Sequence, residues 1–300
     1  MAKIWPLHAV ALLTLALLVG LATALGVTIR APERFSARDF VLQLFLVHGW
    51  ETTDRFSWNY PSWALSVEWA GYLVFPLVLA ALLRMPRALL PIVPLLGLAG
   101  LAWLSLFGPI GGLNYTLTYG LLRFGLEFVL GLGLGRLATE DRLPPMLPWL
   151  ALAGLPLGLW LQEDSLTVLG LAGALLRIWQ AGLGKPVPAR PDLLLRLGEA
   201  SFGIYLSWVF VEAGVVGLLR LTGPGPGGRA VLMAAGFAAT LAAGWCAWRW
   251  VESTGPSLDP GPDRSSAAGS DCRCSAQQCA NLGIGAGPSS GCIRYQLPWL

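Results

Sequence analysis

Residues 7–29 form an apolar run without one formally charged side chain. At about 1.5 Å per helical residue such a run spans the roughly 30 Å hydrocarbon layer of a bilayer, and it is too long for the core of a signal peptide. No small-residue cleavage site is obvious behind it, so it reads as a retained membrane helix. Comparable segments follow at 59–83, 88–107, 121–138, 146–161, 166–181, 197–221 and 229–251. Composition agrees: of 300 residues 55% are hydrophobic and 12% charged, with 14 Trp, 37 Gly and a mean hydropathy of +0.62, too apolar for a soluble domain of this length. The expectation is an all-α, polytopic transmembrane helical bundle of about eight spans over residues 1–252, with the lipid bilayer as its surroundings. The net charge of +3 is small and the basic residues are scattered among loops, which argues against a nucleic-acid partner.

The polar centre is expected in the second span. Asn59 can cap a helix whose first turn tolerates Pro61. Glu68 then lies about 12 Å below the cap, at or past the headgroup boundary, where a carboxylate costs up to about 3 kcal/mol. Trp58, Trp63, Trp69 and Tyr72 are expected to surround it, and Pro76 removes the bond to the Tyr72 carbonyl and predicts a kink. The alternative is an interfacial aromatic belt with one snorkelling acid. In the span over 121–138, Arg123 and Glu127 stand one helical turn apart on one face, as a site pair or as a pair that only fixes packing. Gly131 and Gly135 offer a small-residue face for a neighbouring helix. The glycine run there is no nucleotide loop, because no strand precedes it.

Shorter pieces complete the plan. Residues 40–50 are too few to cross and read as an interfacial or re-entrant helix. The segments 146–161 and 166–181, joined by Gln162-Glu163-Asp164, suggest a helical hairpin. With eight spans and a cytoplasmic Met1, Arg84, Arg87, Arg136, Arg142, Lys185, Arg190 and Arg196 fall inside, as the positive-inside tendency requires. The charged stretch 30–55 falls outside, against that tendency. From 253 to 300 the composition shifts to Gly, Ser, Pro and Asp with Cys272, Cys274, Cys279 and Cys292, the mark of a disordered polar tail, as a shifted reading frame would give. Those cysteines lack paired Cys-x-x-Cys knuckles and a partner His, so no metal is expected.

Several of these stretches resemble one family. Residues 59–77, NYPSWALSVEWAGYLVFPL, are similar to the N-x-x-x-W-S-L-S-V-E-W signature of the bacterial integral membrane acyltransferases of acyltransferase family 3, which include O-acetylases of surface polysaccharides. LRFGLEFVLGLGLG, beginning at Leu122, resembles the family's R-x-x-x-E-F-x-x-G helix. LGEASFGIYLSW, beginning at Leu197, resembles its L-G-x-x-S-Y-x-x-Y-L-x-H helix and brings in Ser201 and Tyr205, although Trp208 stands where many members have His. CAWRWVES resembles the closing Y-R-x-V-E-x-P-x-R, and agreement stops at Glu252. The lead-in around Lys3 and Pro6 resembles the opening of the family's third helix. This implies a chain lacking two helices, the first of which carries an Arg and a His regarded as the catalytic base.

The resemblance implies transfer of an acyl group, commonly acetyl from acetyl-CoA, to a hydroxyl of a surface carbohydrate or glycolipid at the bacterial inner membrane. Acyl-CoA is then a co-substrate, with no bound cofactor. Such chemistry needs a base for the hydroxyl and donors for the oxyanion. Glu68 is expected as its catalytic centre, with Asn59, Trp63, Ser66, Trp69, Tyr72, Arg123, Glu127, Ser201 and Tyr205 as substrate-binding residues. His8 and His48, the 2 histidines of the chain, are not expected to replace the missing base, and Glu212 is expected to pack or face water. The other readings are a catalytically inactive truncated copy, or a small-solute or lipid transporter. The lack of a convincing internal repeat counts against a transporter.

Overall fold

The computed structural model describes residues 4–29, 31–140, 143–183 and 193–252, all within one compact unit that ends at Gly255. The tail at 253–300 with its cysteines, and Lys3, Arg30, Arg142, Lys185 and Arg190, lie outside the described residues. Among the described residues every regular element is helical: α1 (Ile4–Ala24), α2 (Ala37–Leu44), α3 (Trp63–Arg84), α4 (Ile92–Phe107), α5 (Gly120–Thr139), α6 (Leu147–Leu152), α7 (Gly154–Leu161), α8 (Asp164–Gly182), α9 (Leu193–Thr222) and α10 (Pro226–Ala247). The all-α expectation is met. Four segments are long and apolar enough to cross a membrane: Ile4–Ala24, Tyr60–Arg84, Leu193–Thr222 and Pro226–Trp250. Eight spans are not established, because α4 and the α6–α7 pair are shorter apolar helices and α5 and α8 fall outside that set.

Local chemistry explains the helix starts. The Ser36 side chain accepts the Asp39 amide and caps α2, and Glu163 accepts the Ser165 amide and caps α8. The Ser105 hydroxyl also bonds the Glu163 carboxylate and holds it below the usual carboxylate range. The chain enters α3 differently from expectation. A 3-10 turn over Tyr60–Ser62 precedes it, and the Asn59 side chain caps nothing. Pro61 supplies the fixed φ that such a turn wants and has no amide to lose. The helix then runs through Pro76 as one element to Arg84.

Helices meet where glycine lets their backbones approach. A Cβ on Gly97 of α4 would lie 2.9 Å from the Leu126 carbonyl of α5, and one on Gly133 of α5 would lie 2.6 Å from Pro94 of α4. Gly131 and Gly135, expected to make such a contact, face open space with nothing within 4 Å. Gly133 is about 200° around the helix from Gly131, so the same run presents a different glycine to its neighbour. The α6–α7 pair packs along α8 through Gly154, Gly158, Gly170 and Gly173, which bears out the expected hairpin. Two apolar clusters hold the helices together, one around Leu7, Leu46, Leu65 and Leu206, the other around Leu101, Leu104, Leu113, Tyr115 and Leu130. Leu17, Leu77, Phe107, Leu221 and Phe237 stay exposed, as lipid-facing side chains do.

The short segment between α1 and α3 positions the site. Trp5 of α1 donates to the Leu44 carbonyl, and His8 meets the Gln43 carbonyl, so the end of α2 reaches the first two turns of α1. Residues 45–59 then return to α3 through turns in which Leu46, Glu51 and Trp58 adopt left-handed backbone (φ +55°, +59° and +41°). Such conformations cost non-glycine residues about 1–2 kcal/mol each and persist where surrounding contacts demand them. Residues 40–50, expected as one interfacial or re-entrant helix, are thus helical only to Leu44 and continue as turns.

Candidate functional site

A cavity of about 390 Å³ opens between the first turns of α3 and α5, lined by Trp63, Ala64, Val67, Glu68 and Tyr72 on one side and Arg123, Phe124, Glu127 and Phe128 on the other. It gathers five of the ten site residues expected from sequence. The Tyr72 hydroxyl, one turn along α3, donates to the Glu68 carboxylate. The Arg123 guanidinium lies 3.2 Å from Glu127 and 5.5 Å above the Trp63 ring, and it donates to the Leu113 and Tyr115 carbonyls at 2.7 and 3.2 Å. Those carbonyls belong to the loop before α5, so one cation ties the loop, α5 and Trp63 together. Gly71 gives the stacked Phe124–Phe128 wall its room, because a Cβ there would meet the Phe124 ring at 2.7 Å. The cavity therefore sets one carboxylate opposite an Arg–Glu pair between aromatic and aliphatic walls. That arrangement can orient a hydroxyl and offer a cation to a developing oxyanion.

The remaining expected residues face elsewhere. Ser66 is buried on another side of α3, donating to the Leu46 carbonyl and accepting the Gly49 amide at 2.7 and 2.9 Å. Trp69 packs on the apolar cluster with Leu7 and Leu206, and Trp58 lies edge-on against Phe35 and Phe40, so neither ring lines the Glu68 cavity. Tyr205 donates to the Pro61 carbonyl and lies within electrostatic reach of Glu68, while Ser201, one turn earlier on α9, is exposed. Trp208 sits edge-on to Tyr60, and Glu212 accepts the Tyr60 hydroxyl at 3.0 Å. These two residues and Tyr205 thus dock the entrance of α3 onto α9, a packing role for Glu212 as expected.

Two of the expected residues, Asn59 and Ser66, belong to a second polar group whose other members the sequence reasoning did not place in a site. His8, Gln43, His48, Ser57, Asn59, Ser62 and Ser66 are all buried, His8 and Asn59 with no exposed surface. His8 Nε2 lies 2.9 Å from the Gln43 carbonyl, which only accepts, so Nε2 carries a hydrogen. The Gln43 amide donates to the Ser57 carbonyl at 2.6 Å. Ser62 Oγ donates to the Asn59 carbonyl at 2.7 Å and lies 3.1 Å from His48 Nε2, which therefore donates to it. Burial, with the nearby His8 imidazole, pushes His48 down to about 3, so the ring is neutral around pH 7. Five buried atoms make no hydrogen bond: His8 Nδ1, His48 Nδ1, Gln43 Oε1 and both Asn59 amide atoms. At about 1–3 kcal/mol for each buried polar group left unsatisfied, the sum rivals the net stability of a whole domain.

No group of three or more His, Cys, Asp or Glu that could hold a metal ion occurs among the described residues. No curated protein and no solved structure matches the chain. The acyltransferase-domain family model matches residues 2–249, from the first turn of α1 to the residues just past α10, and so takes in both the Glu68 cavity and the buried polar group. A match over that much of the sequence places the chain in acyltransferase family 3.

Proposed function

We propose that the chain works as a membrane-embedded O-acyltransferase, moving an acyl group, commonly acetyl, from acyl-CoA to a hydroxyl of a cell-surface carbohydrate or glycolipid at the bacterial inner membrane. The observation that carries this reading is the meeting of Glu68 with the Arg123–Glu127 pair in one cavity of a family-3 chain. In the reaction the acceptor oxygen attacks the thioester carbonyl, the carbon–sulfur bond breaks, and the hydroxyl proton passes through the carboxylate to the departing thiolate. Glu68, steadied by Tyr72, orients the hydroxyl and takes its proton. Arg123, held by Glu127 and two carbonyls, faces the oxyanion. Trp63, Phe124 and Phe128 keep water from the thioester. Asn59, Ser66, Trp69, Ser201 and Tyr205 act on substrate from outside this cavity or through the docking of α3.

The test is the full chain in liposomes with radiolabelled acetyl-CoA and a lipid-linked oligosaccharide acceptor, followed by CoA release and by label in the acceptor. Glu68→Gln should lower kcat at least about 100-fold while thermal unfolding stays unchanged, as loss of a positioned acid–base group does. Equal turnover by Glu68→Gln and the parent would remove Glu68 from the reaction. No CoA release by the parent above empty liposomes would favour the inactive copy.

A further inference from the structure

The buried polar group consists of two hydrogen-bonded strings. In one, Ser57 meets Gln43 and Gln43 meets His8; in the other, His48 meets Ser62 and Ser62 meets Asn59, two residues from Ser57 in the chain. The five atoms without a partner in the protein come from four members of these two strings, and each of the four is at most 5% exposed. A fold does not retain that many unsatisfied groups in one interior spot unless something pairs with them.

The chemistry of the free atoms limits what that can be. The Gln43 amide nitrogen is fixed by Ser57, so its free atom Oε1 is an acceptor, as is Asn59 Oδ1. The Nε2 assignment leaves His8 Nδ1 as an acceptor as well, while the His48 ring also lies against the Leu42 carbonyl. Against these three acceptors stands one donor, the Asn59 amide nitrogen. The group holds no carboxylate or thiolate that would balance a divalent cation. A neutral ligand that mainly donates and also accepts is required, and a hydroxyl does both.

We propose that His8, Gln43, His48 and Asn59 form an interior binding site for a hydroxyl-bearing ligand, either ordered water or a sugar hydroxyl, separate from the Glu68 cavity. The site is sealed by α1, α2 and the first turns of α3. Through Ser62 and Asn59 its occupancy is tied to the seating of the turn that leads into Glu68. Only the sugar arm rests on the acyl-transfer reading.

The experiment is radiolytic hydroxyl labelling of the full chain in lipid nanodiscs, without acyl donor, read by mass spectrometry. Bound water beside a sealed side chain produces radicals in place. His8 and His48 should therefore be modified at no less than about one tenth of their rate in the detergent-unfolded chain, despite being shielded from bulk solvent. Methyl glucoside is then added as the probe. Protection of both histidines identifies a sugar hydroxyl as the occupant, and unchanged labelling identifies water; both support the site. Modification of both histidines below about one tenth of the unfolded rate overturns it. Asn59→Leu gives an independent reading with a sign. If the site is occupied, losing the amide strands the ligand and Tm falls. If it is dry, removing an unpaired amide raises Tm, and that result also overturns the proposal. No acyl transfer is measured, so failure here leaves the Glu68 reading standing.

Discussion

At His48 the fold opposes a charge. The ring titrates at about 3 in the folded chain against 6.5 unperturbed, because burial and His8 disfavour the cation. Well above pH 6.5 neither state binds the proton and the full stability is present. As pH falls from 6.5 toward 3, the unfolded chain takes up a proton that the folded chain refuses, so stability is lost across that window. The loss should be about 1 kcal/mol at pH 5.5, above the range where most carboxylates titrate. We expect Tm in nanodiscs to fall between pH 7 and 5.5, and His48→Gln to flatten the profile; an equally steep profile in the variant would assign the effect elsewhere. Glu68, Arg123 and Glu127 were legible in the sequence because a charge in an apolar run is costly and therefore conspicuous. His8 and Gln43 were not, and Asn59 was legible only as a cap and a substrate-binding residue, not as part of a buried polar group. They are neutral, and the carbonyls and hydroxyls they meet lie up to 35 residues away in the chain.

Between elements, the same contrast decides which glycines matter. Apolar runs give the existence and approximate ends of the long helices, since period and length are local properties. They do not say which face meets a neighbour. Gly131, Gly133 and Gly135 alternate in sequence, but successive residues turn by about 100°, so only Gly133 meets α4. Adding a methyl group at Gly97, 2.9 Å from the Leu126 carbonyl and the Leu130 amide, should force α4 from α5 and destabilise the fold by about 1–3 kcal/mol. Gly131→Ala, in open space, should be neutral or stabilising by up to about 1 kcal/mol through helix propensity. Thermal unfolding of the two variants side by side checks the register. Equal losses would mean that α5 presents another face to α4. The start of α3 was misread for a related reason: Asn59 has the composition of a cap, but its side chain is sealed in the buried polar group while Pro61 shapes the turn.

Across the whole molecule, which helix ends meet gives an expectation for the crossings of α4 and α5. Arg123, in the first turn of α5, lies over Trp63 at the first residue of α3. Arg87, just past α3, pairs at 3.8 Å with Glu140, just past α5, which Arg136 also reaches. Meeting at both ends makes α3 and α5 parallel, so α4 must run back between their planes. With 16 residues it is about 24 Å long, short of the roughly 30 Å apolar layer, which is why its length alone does not mark it as a span. α3 is long and apolar enough to cross. A helix that returns from its end to its start is then expected to cross too. We therefore expect Ala88→Cys and Ile110→Cys, each in a cysteine-free background, to react with a membrane-impermeant maleimide from opposite sides. The Ala88 end, carrying Arg84, Arg87 and Arg136, should face the cytoplasm. Labelling of both from one side would remove α4 and α5 from the membrane-crossing set and leave the four long apolar helices as the spans.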